Sequence, residues 1–112
     1  MEEIWKDING YEGLYQISNL GNIRSYIRNR NKNLKYNKTK DNYQRITLTK
    51  EKTKKSYLVH RLVAQAFVPN PLLKKQVNHK DFDVCNNRAD NLEWVTAREN
   101  VIHSYNYSKK AN

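Results

Sequence analysis

One stretch near the middle of this chain limits what it can become. Val59, Leu62, Val63, Ala66 and Phe67 fall at i, i+3, i+4, i+7 and i+8, a single apolar stripe, and Pro69 and Pro71 stop the pattern. His60, Arg61 and Gln65 lie off that stripe. The sequence before it is cut into short alternating runs of strand length, so neither an all-helical nor an all-β fold fits, and the expected class is α+β.

The alternating runs come in pairs. Leu14 to Ser18 and Asn22 to Tyr26 are β-prone and are joined by Asn19-Leu20-Gly21, which supplies residues that tolerate positive φ, so a hairpin is predicted. Gln44 to Thr49 alternates polar and apolar, Lys50 to Lys55 reads as a charged turn, and Ser56 to Val59 would return as the partner strand. Between the pairs, Arg28 to Asn42 is nearly all Arg, Lys and Asn apart from Leu34 and Tyr36. It has no period and reads as a mobile basic loop, either lying on phosphates or simply solvated. Downstream, Thr96-Ala97-Arg98-Glu99 is a capping box that opens a last helix, on which Asn100 and His103 share a face. The organisation expected is a β-rich basic module over residues 1–50 followed by a second unit over 51–112 that carries the helices and a cluster of His and Asn.

Composition narrows the functions. No apolar run approaches the ~20 residues that span a bilayer, and Met1-Glu2-Glu3-Ile4-Trp5 lacks the basic and apolar regions of a signal peptide. A protein of the cytoplasm, with no membrane partner, is expected. Cys85 is the only cysteine, which excludes an internal disulfide and a structural zinc held by four thiolates. Trp5 and Trp94 are expected in the core, where indole rings are most often used. The formal net charge is +10, from 21 Lys plus Arg against 11 Asp plus Glu. A field of that sign concentrates polyanions, and nucleic acid is the default partner.

The stretch that could carry chemistry is Gln76-Val77-Asn78-His79-Lys80-Asp81, then Asn86-Asn87-Arg88, then Asp90-Asn91-Leu92-Glu93-Trp94-Val95-Thr96 and Glu99-Asn100. It reads as a strand end, a loop, a short strand and a helix, an arrangement that can bring His79 over the first turns of the helix bearing Asn100 and His103. Hydrolysing a phosphodiester requires a deprotonated water in line with phosphorus and positive charge on the developing oxygens. One imidazole and one hard cation supply both. Asn oxygens suit Mg²⁺, which keeps several waters and is completed by phosphate oxygens.

These residues resemble the HNH, or ββα-metal, endonucleases of the phage and intron homing and nicking type. The likeness runs through Val59-His60-Arg61-Leu62-Val63-Ala64, Val77-Asn78-His79, Asn86-Asn87-Arg88 and Asn91-Leu92-Glu93-Trp94-Val95-Thr96. Trp5-Lys6-Asp7-Ile8, Gly10-Tyr11-Glu12-Gly13 and Tyr15 to Gly21 are similar to the nuclease-associated modular motif that precedes such domains. The resemblance implies an N-terminal β-rich basic module ahead of a ββα-metal core, with His79 as general base and Asn100 a metal ligand alongside Asn78. Asn91 would brace the catalytic loop, His103 and Arg61 would support a phosphate or the metal site, and His60 would brace the fold or a phosphate there sooner than bind metal. It implies one Mg²⁺ or Mn²⁺, double-stranded DNA as partner, ends bearing 5′ phosphate and 3′ hydroxyl, and a phage or mobile-element protein at work in a bacterial host. A single base and metal cut one strand at a time, so a monomer or weak dimer would nick. At Asp81-Phe82-Asp83 the chain departs from the family loop, which tends to carry Gly and Asn there, and an altered loop shape is expected.

Arg24, Arg28, Arg30, Lys32, Lys35, Lys38 and Lys40 are the candidate phosphate contacts. Two other classes stay open at this point: an inactive DNA-binding module in which Asn78 is a lost ligand, and an RNA-binding basic protein, which charge and tyrosine content would permit.

Overall fold

The computed structural model describes residues 2–26 and 32–110. The chain begins with a sheet in which β1 (Trp5–Asp7), β2 (Tyr15–Ser18), β3 (Ile23–Ser25) and β4 (Lys32–Asn33) lie in sequence order. The β2–β3 hairpin is the one read from the sequence, with Ile17 opposite Ile23 and Gly21 at φ +89 in its turn. A second sheet joins β5 (Asn37–Lys38), β6 (Gln44–Lys50) and β7 (Thr53–Leu58). Helix α1 (Val59–Phe67) follows β7 directly, and β8 (Gln76–His79) pairs antiparallel with β9 (Leu92–Val95) before α2 (Ala97–Lys110).

Three expectations are corrected. The described part of the basic segment, residues 32–42, is not a loop without strands, since β4 pairs with β3 and β5 with β6; residues 28–31 lie outside the described residues. Two-residue bridges carry no period of their own; they are held by the neighbouring backbone and by Leu34 and Tyr36, which pack on the core. The Lys50–Lys55 turn shrinks to Glu51-Lys52, both at positive φ as a two-residue hairpin requires, and Val59 belongs to the helix instead of the strand. Trp94 packs half-buried against the core, its indole N–H donating to the Val68 carbonyl at 3.0 Å, whereas Trp5 stands outside the core cluster with Arg24 over its ring at 4.1 Å.

One hydrophobic cluster draws on both halves of the chain. Ile17, Ile23 and Leu48 from the two sheets are fully buried with Val59 and Val63 of α1, and Leu92 of β9 joins them. Each such side chain contributes about 1.5 to 3 kcal/mol on burial. Helix α1 thus sits among both N-terminal sheets and the β8–β9 ribbon. His60, off the stripe in the helical reading, is nevertheless 5% exposed, because α1 is covered on a second side by that ribbon.

Candidate active site

The β8–β9 ribbon sorts its side chains by alternation. Val77 and His79 share a side with their partners Trp94 and Leu92, towards α1, while Gln76 and Asn78 share the other with Val95 and Glu93, towards α2. Asn100 reaches this second side from α2, its Nδ2 donating to Gln76 Oε1 at 2.9 Å. Helix α2 is held at its start by the capping box, with Glu99 N–H to Thr96 Oγ1 at 3.1 Å and Thr96 N–H to Glu99 Oε1 at 3.0 Å.

At the end of β8 a cavity of about 310 Å³ opens, lined among others by Tyr43, Asn78, His79, Phe82, Asn100 and His103. His79 is 4% exposed and packed against His60 and Tyr43, ring centroids 4.9 and 6.0 Å away. Its Nε2 lies 2.8 Å from Asn87 Oδ1. Asn87 in turn donates through Nδ2 to Gln44 Oε1 at 2.8 Å, an orientation that presents its oxygen to the histidine. An amide oxygen only accepts, so Nε2 carries the hydrogen and Nδ1 is left as the acceptor nitrogen of the ring. His60 sits behind His79; burial, with the charges of His79 and Arg61, lowers its pKa to about 4, which keeps it neutral near pH 7.

The loop from His79 to Asn91 is built around Asn91. Its Oδ1 accepts from the Asp81 N–H, its Nδ2 donates to Asp81 Oδ1 and to the Asn86 carbonyl, and its backbone carbonyl accepts from Lys80. Asn86 Nδ2 donates to Asp81 Oδ2, and this bond, with those from the Asp83 N–H and Asn91, holds the Asp81 carboxyl below the usual range. At the departure from the family loop, Phe82 takes φ +67, the left-handed conformation that glycine adopts freely. The bend is kept, and the phenyl ring stacks on His103 with centroids 4.1 Å apart.

Sequence-predicted residues fall into three groups. Asn78, His79, Asn100 and His103 converge on the cavity, and Asn91 braces the loop beside it. Arg61 points elsewhere, donating to the Lys75 carbonyl at 3.1 Å and lying over Trp94, and His60 backs the histidine instead of lining the cavity. Lys35, Lys38 and Lys40 are exposed, while Arg24 gives Nε and Nη2 to Gln16 Oε1. Arg28 and Arg30, and the side chain of Lys32, lie outside the described residues. Sequence reasoning missed Asn87, Gln44 and Glu93. Asn87 stood inside a motif block, but nothing along the chain ties it to position 44.

A two-stranded ribbon on a helix, with an imidazole at the strand end, defines a ββα nuclease core. Family models match the chain twice, as a NUMOD4 motif over residues 3–49 and as an HNH endonuclease over residues 57–102. Residues 57–102 thus belong to the HNH endonuclease family, behind a NUMOD4 segment. It is 46% identical over 97 residues to the DNA endonuclease I-HmuI of Bacillus phage SP01, covering 87% of this chain and 55% of that protein. It is 42% identical over 100 residues to the uncharacterized HNH endonuclease L245 of Acanthamoeba polyphaga mimivirus, covering 89% and 29%. A solved structure concerning DNA binding and cleavage by the HNH homing endonuclease I-HmuI superimposes with a TM-score of 0.86 at 44% identity, over 96% of this chain and 60% of that one. The chain thus spans little more than half of the first relative's length.

HNH nucleases generally depend on a divalent metal. The donors here fit a hard cation. Asn78 and Asn100 each commit their amide nitrogen, to Glu93 Oε1 at 2.9 Å and to Gln76 Oε1, and their oxygens have no hydrogen-bond donor among the described residues. His103 Nε2 is buried at the same cavity without a hydrogen-bond partner among the described residues. The described residues include no group of three His, Cys, Asp or Glu poised for a metal, so the site offers neutral oxygens and leaves most of the coordination to water and substrate. Among the described residues, no helix is long and apolar enough to cross a membrane.

Proposed function

We propose that this chain is a divalent-metal-dependent DNA endonuclease that hydrolyses one phosphodiester of a duplex at a time, with His79 as general base. The carrying observation is the 2.8 Å contact between His79 Nε2 and Asn87 Oδ1, which leaves Nδ1 free to take a proton beside a cavity shared with Asn78 and Asn100. Nδ1 removes the proton of a water held in the cavity, the hydroxide attacks phosphorus, and the bond to the 3′ oxygen breaks; that oxygen takes a proton from solvent water, giving 5′ phosphate and 3′ hydroxyl ends. Asn78 Oδ1 and Asn100 Oδ1 would hold Mg²⁺ or Mn²⁺, with His103 as a further donor to metal or phosphate. When bound, that cation supplies positive charge to the nonbridging and leaving oxygens. Asn91 and Asp81 keep the loop after His79 in shape, and Tyr43 and His60 shield the ring from bulk solvent.

The N-terminal module, residues 1–50, would add contacts to the DNA phosphate backbone beside those of the 51–112 nuclease unit, chiefly through Lys35, Lys38 and Lys40. The phage source of I-HmuI supports a mobile-element protein of a bacterial host; this chain would act there in the cytoplasm as a monomer or weak dimer.

The test is conversion of supercoiled plasmid to nicked circles by wild type and His79→Ala, each with Mg²⁺, Mn²⁺ or excess chelator. Wild type should nick only with metal, and His79→Ala should be slower by roughly 10² to 10⁴ at unchanged DNA affinity. Wild-type cutting in chelator removes the metal, and full activity of His79→Ala removes the base. Binding without cutting by wild type would favour an inactive DNA-binding module, and preference for RNA over duplex DNA an RNA-binding protein.

A further inference from the structure

We infer that Gln44, in the segment that matches the NUMOD4 motif, is a positioning residue of the nuclease centre, fixing through Asn87 which nitrogen of His79 carries the proton. The inference rests on the reading of His79 as the base. A side-chain amide has two nearly isosteric orientations, and only the one with Oδ1 towards His79 can accept from Nε2–H. Asn87 cannot choose between them alone. Gln44 Oε1 does so by accepting from Asn87 Nδ2 at 2.8 Å; with Gln44 in this orientation, a reversed Asn87 amide would set two acceptor oxygens face to face. At 3% exposure Asn87 has little water to substitute for either partner.

The backbone around Asn87 is pressed into place by the same N-terminal segment. A Cβ on Gly21 would lie 3.1 Å from both Asn87 Cβ and its carbonyl oxygen, so the β2–β3 turn abuts this residue directly. Two positions on, the Ala89 N–H donates to the Asn19 carbonyl at 2.8 Å. Gln44 is anchored as the first residue of β6, paired with Lys38 of β5. The N-terminal segment therefore does more than offer basic side chains to DNA: it completes the hydrogen-bond line Gln44, Asn87, His79 that leaves Nδ1 as the proton acceptor.

The experiment reads the His79 ring in the full-length, metal-free protein by long-range ¹H–¹⁵N correlation, alongside kcat, KM and thermal unfolding of each variant. Wild type should show the Nε2–H form. Gln44→Leu, which removes the acceptor, should give a mixture of tautomers and a kcat lower by about 10-fold or more, with KM for DNA little changed. Gln44→Glu keeps an acceptor oxygen and should restore both the ring signature and kcat. Should Gln44→Leu not fold, Gln44→Lys, which is polar but cannot accept, takes its place. A wild-type Nδ1–H form, an unchanged signature in the variant without an acceptor, or equal losses in Leu and Glu variants would overturn the proposal. A wild type with the Nε2–H form that does not cut would sink the base assignment and leave this hydrogen-bond line standing.

Discussion

Asn91 and Asp81 are joined twice, the Asn91 oxygen accepting from the Asp81 N–H at 3.1 Å and its nitrogen donating to the Asp81 carboxylate at 2.9 Å. A third bond, 2.8 Å to the Asn86 carbonyl, makes this 8%-exposed amide the pin of the whole loop between β8 and β9.

Asn91→Ala should therefore act on stability first. It strands a backbone N–H and a carbonyl, and the expected loss is about 2 kcal/mol, or roughly 8 °C in Tm for a domain of this size. Nicking should fall with it, because Lys80 and Asp81 directly follow His79. Thermal unfolding followed by circular dichroism checks this. An unchanged Tm would show that the loop holds its shape without the pin.

Binding to duplex DNA should weaken steeply with salt. A chain of net charge +10 that meets about five phosphates would show a log K against log salt slope near −4 to −5 through counterion release. Affinity measured by fluorescence anisotropy from low to physiological salt decides it, and a flat response would remove the basic residues from the interface.

Elements whose causes are local were legible in the sequence. The α1 stripe, the Gly21 hairpin and the Thr96–Glu99 box each rest on residues within a few positions of one another, and all three stand in the structure. The convergence of Asn78, His79 and Asn100 was legible through the family resemblance and the ribbon-and-helix order. What escaped is set across the fold. Strands β4 and β5 exist because of the strands beside them, and His60 is buried because a ribbon twenty residues further on closes over it. The bond from Gln44 to Asn87 joins residues 43 positions apart, a pairing that no spacing rule reaches. At Phe82 the departure from the family loop was visible, but its outcome was not: the left-handed bend persists without glycine and is accompanied by the stack on His103.

His60 makes the protein acid-sensitive in a definable window. Its pKa falls from the usual 6.5 to about 4, first because burial penalises the imidazolium and then because His79 and Arg61 face it; Tyr43 covers the remaining side with an uncharged ring. The unfolded chain binds a proton at this position near pH 6.5 and the folded one only near pH 4. Stability from keeping His60 neutral is thus full above about pH 6.5 and drains away as pH falls towards 4, where the loss levels off. At pH 5 the expected loss is about 2 kcal/mol, and below pH 4 on the order of 3 kcal/mol. Urea unfolding at pH 7.5 and pH 5, with wild type beside His60→Phe, isolates the effect, since phenylalanine fills the same space and does not titrate. The difference in unfolding free energy between the two pH values should shrink by about 2 kcal/mol in the variant, by the same linkage. Equal pH dependence in the two proteins would mean that His60 takes up its proton in the folded state as readily as in the unfolded one.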